Sequence, residues 1–202
     1  MDFLPVSLLS SAFNSRFIVY IYVIRRLRYE SDNPLIGLTG LSFIVLIKPL
    51  NRIKMLKTIS PQQFQKVFSW AQTARDRLFW LGPNVHTDSP INDVWARLKC
   101  DERPSLGFWY DNKLVGFAQC YEKYEGARHI ACLIVNPQER GKGLGRLFVQ
   151  ALLDYAWQHP DVEHVTLNVL PENHRALNLY RSLGFVEQTN SDPQMVPMRL
   201  MR

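Results

Sequence analysis

Three glycines fall within five residues in the run Arg140-Gly141-Lys142-Gly143-Leu144-Gly145, and Arg146 follows directly. Glycine has no Cβ, so the backbone there can turn sharply and come close to a ligand. An apolar-periodic helix pattern begins at Gly143, and the first N–H groups of a helix have no internal acceptors and sit at the positive end of its dipole. A glycine-rich loop feeding such a helix is an anion site, to which Arg140, Lys142 and Arg146 add charge. A pyrophosphate suits it. The spacing is neither that of a P-loop, which ends in Gly-Lys-Ser/Thr, nor that of the dinucleotide fingerprint GxGxxG. Taken alone, the pattern also fits a glycine-rich turn with no ligand.

Other residues able to do chemistry are fewer. His129 opens a strand-like run, and an imidazole that titrates near neutrality suits a proton acceptor, although a strand-end histidine facing water fits the same text. Alternation along the strand puts His129, Ala131, Leu133 and Val135 on one face and Cys132 on the other, which speaks against a covalent cysteine. Glu122 and Glu125 are fallback bases acting through water. Tyr180 lies on an amphipathic helix, where the plain reading is a core aromatic. His86, His159, His164 and His174 show no pairing with carboxylates, and Cys100, Cys120 and Cys132 show no zinc-ligand spacing, so no metal site is expected.

Elements that would position these residues follow from periodicity and turn chemistry. A short strand runs from Ile53 to about Ile59. Ser60-Pro61 then caps a helix to about Ala74, with Phe64, Val67, Phe68 and Ala71 on one face. Leu78 to Pro90 reads as a loop and Asn92 to Cys100 as a short helix. Strands at Ser105 to Tyr110 and Lys113 to Tyr121 join through the tight turn Asp111-Asn112, and a third, His129 to Val135, ends at Asn136-Pro137. A helix from Gly143 to Gln158 carries Leu144, Leu147, Phe148, Ala151, Leu152, Tyr155 and Ala156 at helical spacing. A strand at Val162 to Val169, a helix from Asn173 to Leu183 closed by Gly184, and strands at Phe185 to Gln188 and Val196 to Met201 complete the chain. The order β-α-α-β-β-β-α-β-α-β-β predicts an α/β (mixed α+β) domain, a mixed sheet with helices on both faces.

At 202 residues the chain suits one domain and a modest appendage, and 47% hydrophobic with 21% charged residues is a globular composition. The net charge of +6 is concentrated at the front: residues 1–57 hold eight basic side chains against three acidic, leaving 16 against 15 in the rest. The main domain is thus nearly neutral, and nucleic acid is not an expected partner. Three widely spaced cysteines suit reduced thiols in the cytoplasm.

Residues 1–52 read as a separate apolar and basic extension. Their apolar runs, Phe17 to Ile24 and Pro34 to Ile47, flank Arg25-Arg26-Leu27-Arg28, and neither matches the about 20 apolar residues of a membrane span. A membrane-associating hairpin, a family-specific extension and an upstream stretch translated from too early a start codon remain, the last favoured because Met55 stands where a self-sufficient domain would begin. N-terminal sequencing of the native protein decides among them.

The run Arg140 to Gly145 resembles the Arg/Gln-x-x-Gly-x-Gly/Ala motif of the GNAT superfamily of N-acetyltransferases. Val135-Asn136-Pro137 before it matches as well, and so does a second block, Asn168-Val169-Leu170-Pro171-Glu172-Asn173-His174-Arg175-Ala176-Leu177-Asn178-Leu179-Tyr180-Arg181-Ser182-Leu183-Gly184-Phe185. The likeness covers residues 53–202 as the acetyltransferase domain. It implies a mostly antiparallel sheet splayed between its fourth and fifth strands, with acetyl-CoA lying in the gap. By the same likeness, backbone groups at Ile134 and Val135 and the side chain of Asn173 hold the pantetheine arm, and residues 140 to 146 take the phosphates. Tyr180 attends the leaving sulfur as hydrogen-bond donor or proton relay, since a phenol at about 10 is too weak to protonate a thiolate at about 8.5 outright.

The resemblance implies direct attack by a primary amine, with no acyl-enzyme. In the branch acetylating ribosomal proteins a Glu stands where this chain has Asn168, an amide that cannot act as base. In the histone-acetylating branch a Glu occupies the strand position of His129, which is therefore the candidate base, although a bulge common in this strand would shift its face. The acceptor, a small-molecule amine or a peptide or protein amine, is expected beside Phe79, Trp80, Trp95, Asp88 and Asp93. Pairing with a second copy of the chain stays open. A coenzyme A-binding sensor without catalysis and a membrane-tethered protein are the rival readings.

Overall fold

A computed structural model describes residues 17–25 and 41–49 as backbone and, with side chains, residues 54–83, 85, 88–189 and 193–202. The chain divides into two compact units, 1–52 and 53–202. In the first, β1 (Phe17–Arg25) and β2 (Leu41–Pro49) pair antiparallel from Phe17↔Pro49 to Arg25↔Leu41. Arg26, Arg28, residues 34–40 and His86 lie outside the described residues. No helix among the described residues is long and apolar enough to cross a membrane.

The second unit is built on a seven-stranded sheet, ordered β3-β4-β5-β6-β7-β9-β8. Its strands are β3 (Lys54–Thr58), β4 (Ser105–Tyr110), β5 (Lys113–Tyr124), β6 (Ala127–Val135), β7 (His164–Val169), β8 (Val186–Glu187) and β9 (Val196–Met201). All neighbours run antiparallel except β6 and β7, which are the fourth and fifth strands of this sheet. The turn between β4 and β5 has positive φ at both Asp111 (49°) and Asn112 (60°), the primed geometry expected of a two-residue hairpin.

Helices α4 (Leu144–Ala156) and α5 (His174–Arg181) cover one face, and α1 (Pro61–Phe68), α2 (Ala74–Leu81) and α3 (Ile91–Arg97) belong to the other. Under α4, Phe148 stacks on Phe108 with ring centroids 4.9 Å apart. A Cβ on Gly116 would come within 2.8 Å of the Phe148 ring, so glycine there lets helix and sheet meet. On the opposite face Phe64, Trp80 and Phe117 form an aromatic cluster with centroids 5.4 to 6.2 Å apart.

The helix expected from Ser60 to Ala74 is in fact two. Ser60 and Gln63 form the capping box of α1, which stops at Phe68. Thr73 then caps a new helix, its hydroxyl oxygen accepting the Asp76 N–H at 3.0 Å, and α2 takes in residues expected to be loop from Leu78 onward. At the far end Gly184, at φ 92°, ends α5, and Phe185 N–H returns to the Tyr180 carbonyl at 3.1 Å.

Candidate active site

The register of the parallel pair shows where the sheet opens. β6 and β7 are matched only from Ala127↔His164 to Ile130↔Leu167, although β6 runs on to Val135 and β7 to Val169. At that point β6 carries a bulge: Phe117↔Ile134 and Gln119↔Ala131 leave one extra residue on β6, and Cys132 takes φ 52°. Beyond it Asn136 N–H bonds the Val115 carbonyl at 2.9 Å. Antiparallel alternation therefore turns the N–H and C=O of Leu133 and Val135 away from β5, toward the gap. Ile134, expected to offer backbone groups to a ligand, has its own aimed at β5. Leu133, which the sequence did not single out, joins Val135 instead.

The bulge also overturns the expected strand parity. Ile130 packs in the core under α4, as do Leu133 and Val135, whereas Cys132 and Ile134 pack with the aromatic cluster on the other face. His129, next to Ile130 and in ring contact with Tyr121, is thus on the face opposite Leu133 and Val135. Cys132 shares the side of His129, contrary to simple alternation. Burial pushes the Cys132 thiol up to about 12, so it stays protonated and is a poor nucleophile.

The gap widens into a cleft of about 820 Å³, lined by β6, β7, α2, the glycine loop, the first turn of α4 and one side of α5. Gly141 (φ 81°) and Gly143 (φ 78°) take left-handed backbone, and a Cβ on either would meet nothing within 4 Å. Gly143 is the N-cap of α4 and supplies no side-chain acceptor, so the first N–H groups of the helix are left for a ligand. Open space, exposed donors and the unpaired edge of β6 together fit an extended molecule ending in phosphates.

The charged residues of the loop do not all serve it alike. Arg146 lines the cleft and donates to the Ser182 hydroxyl at 2.7 Å. Arg140 lines it too, but its Nε donates to the Val135 carbonyl at 3.2 Å and its Nη1 meets Asp76 at 3.3 Å, tying α2 to the end of β6. Lys142 is absent from the lining, and its ammonium pairs with Glu139 at 2.7 Å. Leu144 and Gly145 line the cleft through the start of α4.

Asn173 caps α5, its side-chain oxygen accepting the Ala176 N–H at 3.3 Å, which leaves its NH2 group able to donate into the cleft it lines. Tyr180 is 7% exposed and faces the same space. Burial pushes its hydroxyl up to about 12, and among the described residues that hydroxyl takes no hydrogen-bond partner. His129 also lines the cleft, with Nδ1 2.8 Å from the Thr166 hydroxyl. Burial first, then the charges of Lys123 and Arg103, lower its pKa to about 4, so the ring is neutral at physiological pH. Thr166 in turn bonds the Arg128 carbonyl at 3.4 Å. With the hydroxyl proton given to Arg128, Nδ1–H donates to Thr166 and Nε2 is left as the acceptor.

Of the residues expected beside the acceptor, Phe79 and Trp80 reach the cleft, whereas Trp95, Asp88 and Asp93 do not. Thr73, Arg75 and Asp76 of the α2 start, Arg175 of α5 and Met195 reach it without having been anticipated. The Thr73-x-x-Asp76 capping pattern was the available signal for the first group. Among the described residues no cluster of His, Cys, Asp or Glu could hold a metal.

Residues 64–185 match the Acetyltransferase (GNAT) family. The chain belongs to this family. Among its GNAT relatives, the aminoglycoside N(6')-acetyltransferase type 1 of Klebsiella pneumoniae is 33% identical over 86 residues, covering 37% of this chain and 43% of that one. The spermidine N(1)-acetyltransferase of Vibrio cholerae is 36% identical over 56 residues, covering 28% and 32%. The chain thus spans less than half the length of these curated relatives. A solved aminoglycoside acetyltransferase in complex with coenzyme A superposes with a TM-score of 0.61 at 20% identity over 74% of this chain and 95% of that one, which shows the GNAT fold.

Proposed function

We propose that the chain transfers an acetyl group from acetyl-CoA to a primary amine by direct attack, without an acyl-enzyme. The observation that carries this is the gap beyond Ile130 and Leu167, where the free edge of β6 leads to the glycine loop at the start of α4. Acetyl-CoA, when bound, supplies the activated acyl group. The protein's contribution is placement: Leu133 and Val135 offer backbone N–H groups along the gap, Asn173 donates from the other wall, and the loop residues lining the cleft, Arg140, Gly141 and Gly143 to Arg146, hold phosphates. A fixed N–H aimed at a carbonyl oxygen that gains charge contributes several kcal/mol to such a transfer.

The amine nitrogen forms its bond to the acetyl carbon as the C–S bond breaks, and the proton lost by nitrogen is matched by one gained by sulfur. In this reading His129 Nε2 takes the first and Tyr180 delivers the second, which is supported by both side chains lining the cleft. With a pKa near 4 the imidazole cannot strip a free ammonium ion at neutral pH. It can relieve the far more acidic N–H of an amine already bonded to the acyl carbon. The acceptor class proposed here is a small-molecule amine or a peptide amine, in the reducing cytoplasm that three unpaired thiols suit.

A coupled assay of thiol release from acetyl-CoA over polyamines, amino acids, aminoglycosides and peptide N-termini tests the activity. Saturable, amine-dependent release is expected. Tight coenzyme A binding with no amine turned over would establish a sensor instead.

A further inference from the structure

His129 lies beside one aromatic ring, Tyr121, and within the field of two cations. Its cross-strand neighbours are Tyr121 on β5 and Thr166 on β7, and Arg199 stands beyond Thr166 on β9. The charges acting on it are those of Lys123 and Arg103. Arg103, in the connection between α3 and β4, lays its guanidinium over the Tyr121 ring at 4.2 Å from the centroid. The Tyr121 ring is 5.6 Å from that of His129, edge to face. Among the described residues the Arg103 side chain has no carboxylate partner, whereas Lys99, Arg140, Lys142 and Arg181 each have one.

The cleft repeats this imbalance. Arg75, Arg140, Arg146 and Arg175 line it, and Asp76 is the one acidic side chain among the described lining residues. Asp76 is already engaged by the Thr73 hydroxyl at 2.6 Å and by Arg140 at 3.3 Å. Arg140 and Arg146 belong to the phosphate loop, whereas Arg103 and Lys123 lie outside the lining and act on His129, which is part of it. An acceptor with several ammonium groups would bring its spare charges among these cations with no free carboxylate among the described lining residues to receive them, and an unbalanced charge moved out of water is costly. An acceptor carrying a carboxylate meets the reverse: a guanidinium fork, already stacked and partly desolvated on an aromatic ring, that binds a carboxylate with two parallel hydrogen bonds.

We propose that the acceptor is an amine that also bears a carboxylate, with the carboxylate held by Arg103 against Tyr121 and the amino group at His129. This rests on the acetyl-transfer reading of the same site. It separates the chain from its relatives named for spermidine and aminoglycosides, both polycationic compounds.

The test uses matched acceptors in the thiol-release assay with the full chain: 6-aminohexanoate, hexylamine and 1,6-diaminohexane, and the corresponding four-carbon set. The carboxylate member of at least one set is expected to exceed both companions in kcat/KM by about tenfold, the scale of one charge-assisted contact. In Arg103→Ala the ratio of carboxylate to neutral member should fall to about one, while Arg103→Lys should retain part of it. Arg103→Gln serves if the alanine variant loses its thermal transition. Preference for the diamines, equal use of all three, or a ratio untouched by Arg103→Ala would overturn the proposal while leaving acetyl transfer intact. No turnover of any amine would remove the acetyl-transfer reading, and this proposal with it.

Discussion

The indole N–H of Trp80 donates to the backbone carbonyl of Cys132 at 2.8 Å, joining α2 to the bulge in β6. Cys132 holds φ 52°, a conformation that costs a non-glycine residue about 1–3 kcal/mol and persists only where its surroundings fix it. The bulge reverses which backbone groups face the gap, so Trp80 sets the aim of the Leu133 N–H. Phenylalanine at position 80 would keep the ring contacts with Phe64, Phe68 and Phe117 but lose the donor. Trp80→Phe should lower kcat about tenfold, a loss in the about 1–3 kcal/mol range of a buried carbonyl left without its partner. Coenzyme A affinity, measured by calorimetry, should change less than about twofold, since the phosphate loop is untouched. Unchanged kcat with a lowered thermal midpoint would reduce Trp80 to a packing residue.

Tyr180→Phe tests the proposed delivery of a proton to sulfur. A hydroxyl pushed up to about 12 by burial stays protonated throughout the working range, so Tyr180 itself adds no alkaline limb to the pH–rate profile. Removing it should lower kcat by about 10²-fold, the lower end of general acid contributions. The Phe185 contact and the fold should survive, because the ring remains. Full turnover in Tyr180→Phe with coenzyme A still bound would end the assignment.

His129 makes a prediction about stability as well as rate. Its folded pKa of about 4 lies below the unfolded value of 6.5, so the unfolded chain binds the extra proton first as pH falls. The contribution is present in full above pH 6.5 and is lost as pH drops toward 4, at most on the order of 3 kcal/mol. Thermal melts from pH 7.5 to 4.5 should show a falling midpoint that is flatter in His129→Asn. In the rate profile, no acid limb near 6.5 should belong to His129. A limb at neutral pH that moves with the pKa of the amine would belong to the acceptor.

Local periodicity and turn chemistry were enough to recover the strands from Ser105 to Tyr110 and Val196 to Met201, the Asp111-Asn112 turn and the helix over the sheet, because each is decided by neighbours in sequence. The bulge was raised only by the family resemblance and was not legible in the local pattern. Cys132 has an ordinary strand sequence around it, and its positive φ is held by Trp80, 52 residues away. The pairing of Lys142 with Glu139 was within reach, since the two are three residues apart, but the glycine loop drew its charge to the ligand. The split of the first helix was marked by Thr73 and Asp76, whose capping pattern the apolar spacing from Phe64 to Ala71 overshadowed. The proposed acceptor end is written in contacts between separate elements, such as Arg103 on Tyr121, and no spacing rule announces those.

Gly143→Ala probes the proposed phosphate loop. Position 143 has φ 78°, and a methyl group there would meet nothing within 4 Å, so crowding inside the protein is not the obstacle. Two costs follow. Left-handed backbone disfavours alanine by about 1–2 kcal/mol, and the methyl group would occupy space that the open loop leaves for a ligand approaching the first N–H groups of α4. The variant should melt slightly lower, yet lose coenzyme A affinity by more than about tenfold. Gly184→Ala supplies the comparison: it bears the same backbone penalty at φ 92°, far in sequence from the loop, and its Cβ would meet Leu200 at 3.3 Å. Stability should fall there with coenzyme A affinity retained. Equal losses of affinity in both variants would show that the loop acts only through the fold, and that the phosphates bind elsewhere.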